Sequence, residues 1–121
     1  MKALFIFGTR PEAIKMAPII KRMLDSDGTF DIRICVTGQH RQMLDEVLHI
    51  FGIRPDYDLD LMKDNQSLAA LTAACIRAID SVIAAEQPDW VLVQGDTTTA
   101  MAGSLVAYYH RIKVAHVEAG L

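Results

Sequence analysis

Cysteine is scarce in this sequence, and charge of one sign never accumulates. There are two cysteines, Cys35 and Cys75, far apart and without C-x-x-C spacing. That is too little for the disulfide framework of a small secreted domain. Both are read as buried, reduced thiols, as expected of a cytoplasmic protein. Twelve basic side chains against fifteen acidic ones give a net charge of −3. A balance this mild lacks the basic footprint of a nucleic-acid binder. Charged residues make up 22% and hydrophobic residues 51%, a composition that excludes intrinsic disorder. No uninterrupted apolar run approaches the roughly 18–20 residues of a membrane helix, so no membrane role is expected. The run Ala3 to Phe7 meets Gly8-Thr9-Arg10-Pro11 too soon to be a signal-peptide core. No internal repeat or low-complexity segment is present. No His/Cys/carboxylate cluster has metal-ligand spacing, so neither a metal nor another cofactor is expected.

What is present is an alternation of short apolar runs with helical periodicities. Strands are predicted at Lys2 to Phe7, Phe30 to Val36, weakly Tyr57 to Leu61, Trp90 to Val93 and Lys113 to Val117. Helices are predicted at Pro11 to Ser26, Arg41 to Phe51 with Gly52 as C-cap, Ser67 to Glu86 stopped by Pro88, and Thr97 to His110. Strands alternating with helices imply right-handed crossovers and a parallel sheet covered on both faces. Continuous rather than alternating apolar strands agree with that. The expected fold is a three-layer α/β Rossmann-like domain over residues 1–121, with strand order 3-2-1-4-5. The sequence stops at Ala119-Gly120-Leu121, directly after a strand expected to be central or nearly so. A piece of a longer protein is therefore expected.

In such a sheet, ligands bind beyond the carboxyl ends of the strands, where strand order reverses. Gly8-Thr9-Arg10-Pro11 follows strand one and opens a helix with Pro at its first turn. Free N–H groups and the helix dipole favour an anion there, with Arg10 and Lys15 as cationic partners. The turn is neither G-x-G-x-x-G nor a Walker A loop, and spacing alone leaves a merely solvated Arg and Lys equally open. Asp96, after strand four, is a candidate N-cap for the next helix as well as a candidate catalyst, and Gly95 would permit close approach of a backbone or ligand. Glu118 ends strand five. Neighbouring strands lie roughly 4.8 Å apart, so Asp96 and Glu118 are expected in one crevice, where two carboxylates can divide into acid and base. Glu118 pairing with Arg10 or Lys15 is the plainer alternative. His116 is expected as a hydrogen-bonded core histidine, His49 and His110 as solvated helix-end residues, and the methionines as core.

Four blocks then resemble one family. Phe7-Gly8-Thr9-Arg10-Pro11-Glu12-Ala13-Ile14-Lys15-Met16-Ala17-Pro18 is similar to the opening of the non-hydrolysing UDP-N-acetylglucosamine 2-epimerases. Gln39-His40-Arg41-Gln42-Met43-Leu44-Asp45, Gly95-Asp96-Thr97-Thr98-Thr99 and His116-Val117-Glu118-Ala119-Gly120-Leu121 follow in the family's order and spacing. The resemblance implies interconversion of UDP-GlcNAc and UDP-ManNAc by elimination and re-addition of UDP. It implies one half of a glycosyltransferase-B arrangement, a cytoplasmic homodimer, and a product used for surface polysaccharides. Asp96 and Glu118 match catalytic carboxylates, and Arg10 and Lys15 match residues near the diphosphate. Gln39, His40, Gln42 and Gln66 match contacts to a second, activating UDP-GlcNAc, although Asn65 replaces an arginine of some relatives. Family members are about three times as long. A further glutamate and arginine, and a second domain with a catalytic histidine, are missing here, so this chain alone is expected not to turn over. The alternatives are a hydrolysing epimerase, a related glycosyltransferase and a non-catalytic nucleotide-binding module. A flavodoxin-like receiver would need an acidic pair where Thr9-Arg10 stands.

Overall fold

The computed structural model describes residues 1–38 and 41–118. The elements run β1 (Lys2–Phe7), α1 (Arg10–Leu24), β2 (Asp31–Val36), α2 (Arg41–Phe51), β3 (Tyr57–Asp58), α3 (Leu68–Glu86), β4 (Trp90–Gln94), α4 (Thr98–Tyr109) and β5 (Lys113–Val117). All pairings are parallel, in the order β3-β2-β1-β4-β5, as the alternation predicts. The weak third strand shrinks to a two-residue pairing with Cys35 and Val36.

Because strand side chains alternate between faces, the sheet has two cores. Ala3, Phe5, Phe7, Ile34 and Val36 pack under α1 and α2. Leu4, Ile6, Cys35, Val91 and Val93 pack under α3 and α4. Both cysteines are buried and free. Burial pushes the Cys35 thiol up to about 12, with nearby Cys75 adding to the shift.

One expectation needs correction, the burial of the methionines, and α3 and β5 each add an observation. Helix α3 is long and apolar enough to cross a membrane by length and composition, although no clean apolar run reaches that length. Leucine, isoleucine and valine carry most of its apolarity, and Leu71, Cys75, Ile79, Val82 and Ile83 form its buried stripe, which belongs to the sheet's second core. Of the methionines, Met16 is fully buried and Met23 packs at the core's margin, but Met43, Met62 and Met101 are exposed. The stripe of α2 turns Leu44, Val47 and Leu48 inward and leaves Met43 outside. Strand β5 stands at the edge of the described sheet, paired only with β4, so its residues are half-buried or exposed.

At the amino end of the sheet one carboxylate gathers several side-chain donors. Glu86, ending α3, accepts from the Tyr57 hydroxyl, from Lys2 Nζ at 3.2 Å and from Arg33 Nε at 3.3 Å. Its side chain is 12% exposed. These contacts, the Tyr57 hydrogen bond foremost, hold the Glu86 carboxyl below its usual range and raise the Tyr57 phenol above 10.0. A depressed carboxyl contributes stability above its unfolded value and loses it as pH falls through the folded one. A raised phenol contributes below its unfolded value and loses it as pH rises through the folded one. Glu86→Gln should therefore cost about 1.5–3 kcal/mol at pH 7, the range of hydrogen bonds to a charged group. Urea unfolding at pH 7 and pH 3 should show that cost shrinking in acid; an equal cost at both would refute the assignment.

Candidate active site

The strand order reverses at β1, whose neighbours are β2 on one side and β4 on the other. Beyond their carboxyl ends lies a cavity of about 430 Å³ lined by Thr9, Pro11, Glu12, Lys15, Gln94, Gly95, Asp96, Thr97 and Glu118. Asp96, Glu118 and Lys15 thus come together at the expected crevice. Arg10 instead lines an adjoining cavity with Pro11, Ile14, Lys15 and Met43. Lys15 and Pro11 are common to both.

The β1–α1 turn is shaped by close approach. A Cβ on Gly8 would stand 2.0 Å from Thr37 Oγ1 and 3.0 Å from Thr99 Oγ1. Those two buried hydroxyls are hydrogen-bonded to each other at 2.9 Å. Glycine at this position lets the turn lie flat on the pair. The helix then starts at Arg10 with Pro11 in its first turn, and Arg10 is exposed.

Asp96 is exposed, and it does not cap α4. The N-cap is Thr97, whose hydroxyl accepts the Ala100 N–H at 3.1 Å. Among the described residues, the Asp96 carboxylate makes no hydrogen bond or ion pair, and the residue lines the cavity. Gly95 serves the turn by its φ of +71° and not by close approach, since nothing lies within 4 Å of a Cβ built there. Its N–H donates to Val117 O at 3.0 Å. Its carbonyl lies 2.6 Å from His116 Nε2. A carbonyl only accepts, so that nitrogen carries the proton. Within the described residues His116 is exposed rather than packed in the core, and its ring folds over the Gly95 turn. His49 is exposed, while His110 pairs with Asp80 at 2.6 Å rather than facing only solvent.

Glu118 follows β5 in the left-handed region, at φ +55°. Its Oε2 accepts from Lys15 Nζ and from Gln94 Nε2 at 3.2 Å. The Lys15 ammonium holds the Glu118 carboxyl below its ordinary range, with Gln94 assisting. The plainer pairing considered for Glu118 is therefore present, inside the same cavity as Asp96.

Sequence reasoning assigned no role to Gln94 or Glu12 and did not foresee the bond between Glu12 and Thr97. Gln94 ends β4 buried. Thr97 bonds to Glu12 Oε1 at 2.7 Å. Glu12 is 1% exposed, and its Oε2 accepts from Gly8 N, Thr9 N and Thr9 Oγ1 at 2.9, 2.7 and 2.8 Å. Thr9-x-x-Glu12 has capping-box spacing, the one signal that could have found it. Of the remaining candidates, Gln42 is exposed on the first turn of α2. Gln66 accepts the Lys63 N–H at 3.3 Å. Gln39 and His40 lie outside the described residues.

Residues 22–121 match the family model described as UDP-N-acetylglucosamine 2-epimerase. The UDP-N-acetylglucosamine 2-epimerase of Escherichia coli K12 is 54% identical over 121 residues, all of this chain and 32% of that protein. The crystal structure of the Neisseria meningitidis UDP-GlcNAc 2-epimerase bound to UDP-GlcNAc superposes with a TM-score of 0.95 at 53% identity, covering 100% of this chain and 32% of that one. The Methanocaldococcus jannaschii enzyme in complex with UDP-GlcNAc and UDP gives 0.92 at 39% identity, covering 100% and 33%. The chain spans about a third of the length of these relatives.

Lys15→Met removes the cation that depresses Glu118. Carboxyl carbon NMR should show the Glu118 titration moving up toward the ordinary carboxylate value of about 4.3. An unchanged titration would mean that the pair does not persist in solution.

Proposed function

Because the chain belongs to the UDP-N-acetylglucosamine 2-epimerase family, we propose that it forms part of an enzyme interconverting UDP-GlcNAc and UDP-ManNAc. The observation that carries this reading is the meeting of Asp96, Glu118 and Lys15 at one cavity on the sheet's switch point. A base takes the sugar's C2 proton, and the C1–O bond breaks with its electron pair leaving on UDP. This gives a 2-acetamidoglucal. The phosphate oxygen then returns to C1, and a proton is delivered to the other face of C2. Two carboxylates on one cavity supply the proton transfers. Arg10, Lys15 and the α1 N-terminus supply positive charge for the departing diphosphate.

Lys15 links the two halves of this chemistry. A carboxylate held by an ammonium is a weak base. A diphosphate that draws Lys15 away raises the basicity of Glu118 when substrate is present. Further parts of the reading are a second domain completing the cleft and an activating UDP-GlcNAc near Gln39, His40, Gln42 and Gln66. The reading also includes a cytoplasmic homodimer built on α2 and α3, where Ile50 and Leu68 are exposed.

Proton NMR of UDP-GlcNAc in D₂O tests the reading. The full-length protein should exchange the C2 proton and produce UDP-ManNAc, and the 121-residue chain should do neither. In the full-length protein, Asp96→Asn and Glu118→Gln should each slow exchange by about 100-fold or more, the usual range for loss of general acid–base catalysis. Exchange by the short chain, or undiminished exchange in both variants, would overturn the assignment.

A further inference from the structure

Glu12 is a carboxylate almost without water, and its two oxygens face different loops. Oε2 gathers the Gly8 and Thr9 N–H groups and the Thr9 hydroxyl, all from the β1–α1 turn. Oε1 takes the hydroxyl of Thr97, which starts α4. The first loop leads into Arg10 and Lys15, and the second carries Asp96. Thr97 makes the join two-sided, since its hydroxyl donates to Glu12 and accepts from Ala100 N–H.

We propose that Glu12 and Thr97 are positioning residues that set the distance between the Asp96 carboxylate and the helix start carrying Arg10 and Lys15, through the hydroxyl–carboxylate bond joining the two loops. This rests on the epimerase reading for its consequence in turnover, though not for its geometry. Asp96 makes no bond of its own among the described residues, so its place depends on its neighbours in sequence. Gly95 is held on one side by Val117 and His116, and Thr97 on the other by Glu12. Releasing Thr97 frees one end of that span. An ordinary helix cap would need only the Ala100 bond. The additional bond to a buried carboxylate on another loop carries the positioning role.

Thr97→Val keeps the side chain's shape and removes both hydroxyl bonds, whereas Thr97→Ser retains them. In the full-length protein, Thr97→Val should reduce kcat by about 100-fold, the scale of a misplaced reacting group, with KM within about threefold, because the binding groups on α1 are untouched. Thr97→Ser should recover kcat to within about threefold of the parent. A purely structural role would lower both variants only in proportion to the folded fraction, which circular dichroism measures. Crystal structures of the two variants give a readout free of activity: the Asp96 carboxylate should move by about 1 Å against the Gly8–Arg10 turn in Thr97→Val alone, the displacement at which such losses arise. An unmoved Asp96 in Thr97→Val overturns the proposal. So does equal impairment of the two variants when corrected for folding. If the parent protein exchanges no C2 proton, the epimerase reading fails, and the structures still decide the positioning.

Discussion

A carboxylate sealed from water must be met by donors, and Glu12 meets four of them. Stripped of partners, a buried ion costs several kcal/mol. The surrounding chain is therefore constrained to bring a turn's N–H groups and two threonine hydroxyls to that point. One of those donors, Thr97, lies 85 residues from Glu12 in sequence. The β1–α1 and β4–α4 turns can satisfy Glu12 only at one separation. Gly8 is part of the same constraint, because a side chain there would collide with the Thr37–Thr99 hydroxyl pair beneath the turn.

Parallel pairing makes that meeting possible. When every strand runs the same way, every strand-to-helix turn emerges at one edge. Residues that follow β1, β4 and β5 are thereby delivered to a shared rim without any long loop. The two faces are filled by alternate strand residues, so the rim's polar side chains need not serve the core. The opposite edge has its own tie, the Glu86 carboxylate with Tyr57, Lys2 and Arg33. Each end of the sheet is thus closed by a carboxylate serving several donors, one buried and one near the surface.

Element order was legible because apolar runs and helical spacings alternate cleanly, and that alternation implied one parallel sheet covered on both faces. The crevice was legible for the same reason, since topology alone takes Asp96 and Glu118 to the same rim. Orientation was less accessible. Asp96 and Thr97 are both good capping residues, and only the backbone path decides that Thr97 caps. His116 reads as buried because its neighbours are apolar, yet among the described residues β5 is paired on one side only and the ring turns to the Gly95 carbonyl. Glu12 was hidden for a different reason. Its sequence signature describes a local helix start, and its link to Thr97 exists only after folding.

The two rim carboxylates end up chemically unlike although they share a cavity. Asp96 is held through the backbone on both sides and keeps its oxygens uncommitted among the described residues. Glu118 has an oxygen engaged by an ammonium and an amide, which favour its ionised form. Environment alone can separate two carboxylates in this way. Under the epimerase reading the asymmetry has a use, because epimerisation needs a proton removed from one face of C2 and one delivered to the other. A group whose ionisation depends on Lys15 responds to the arrival and departure of a diphosphate. A group fixed by Thr97 and Gly95 does not. Coupling one carboxylate to the leaving group and insulating the other keeps the two proton transfers distinct.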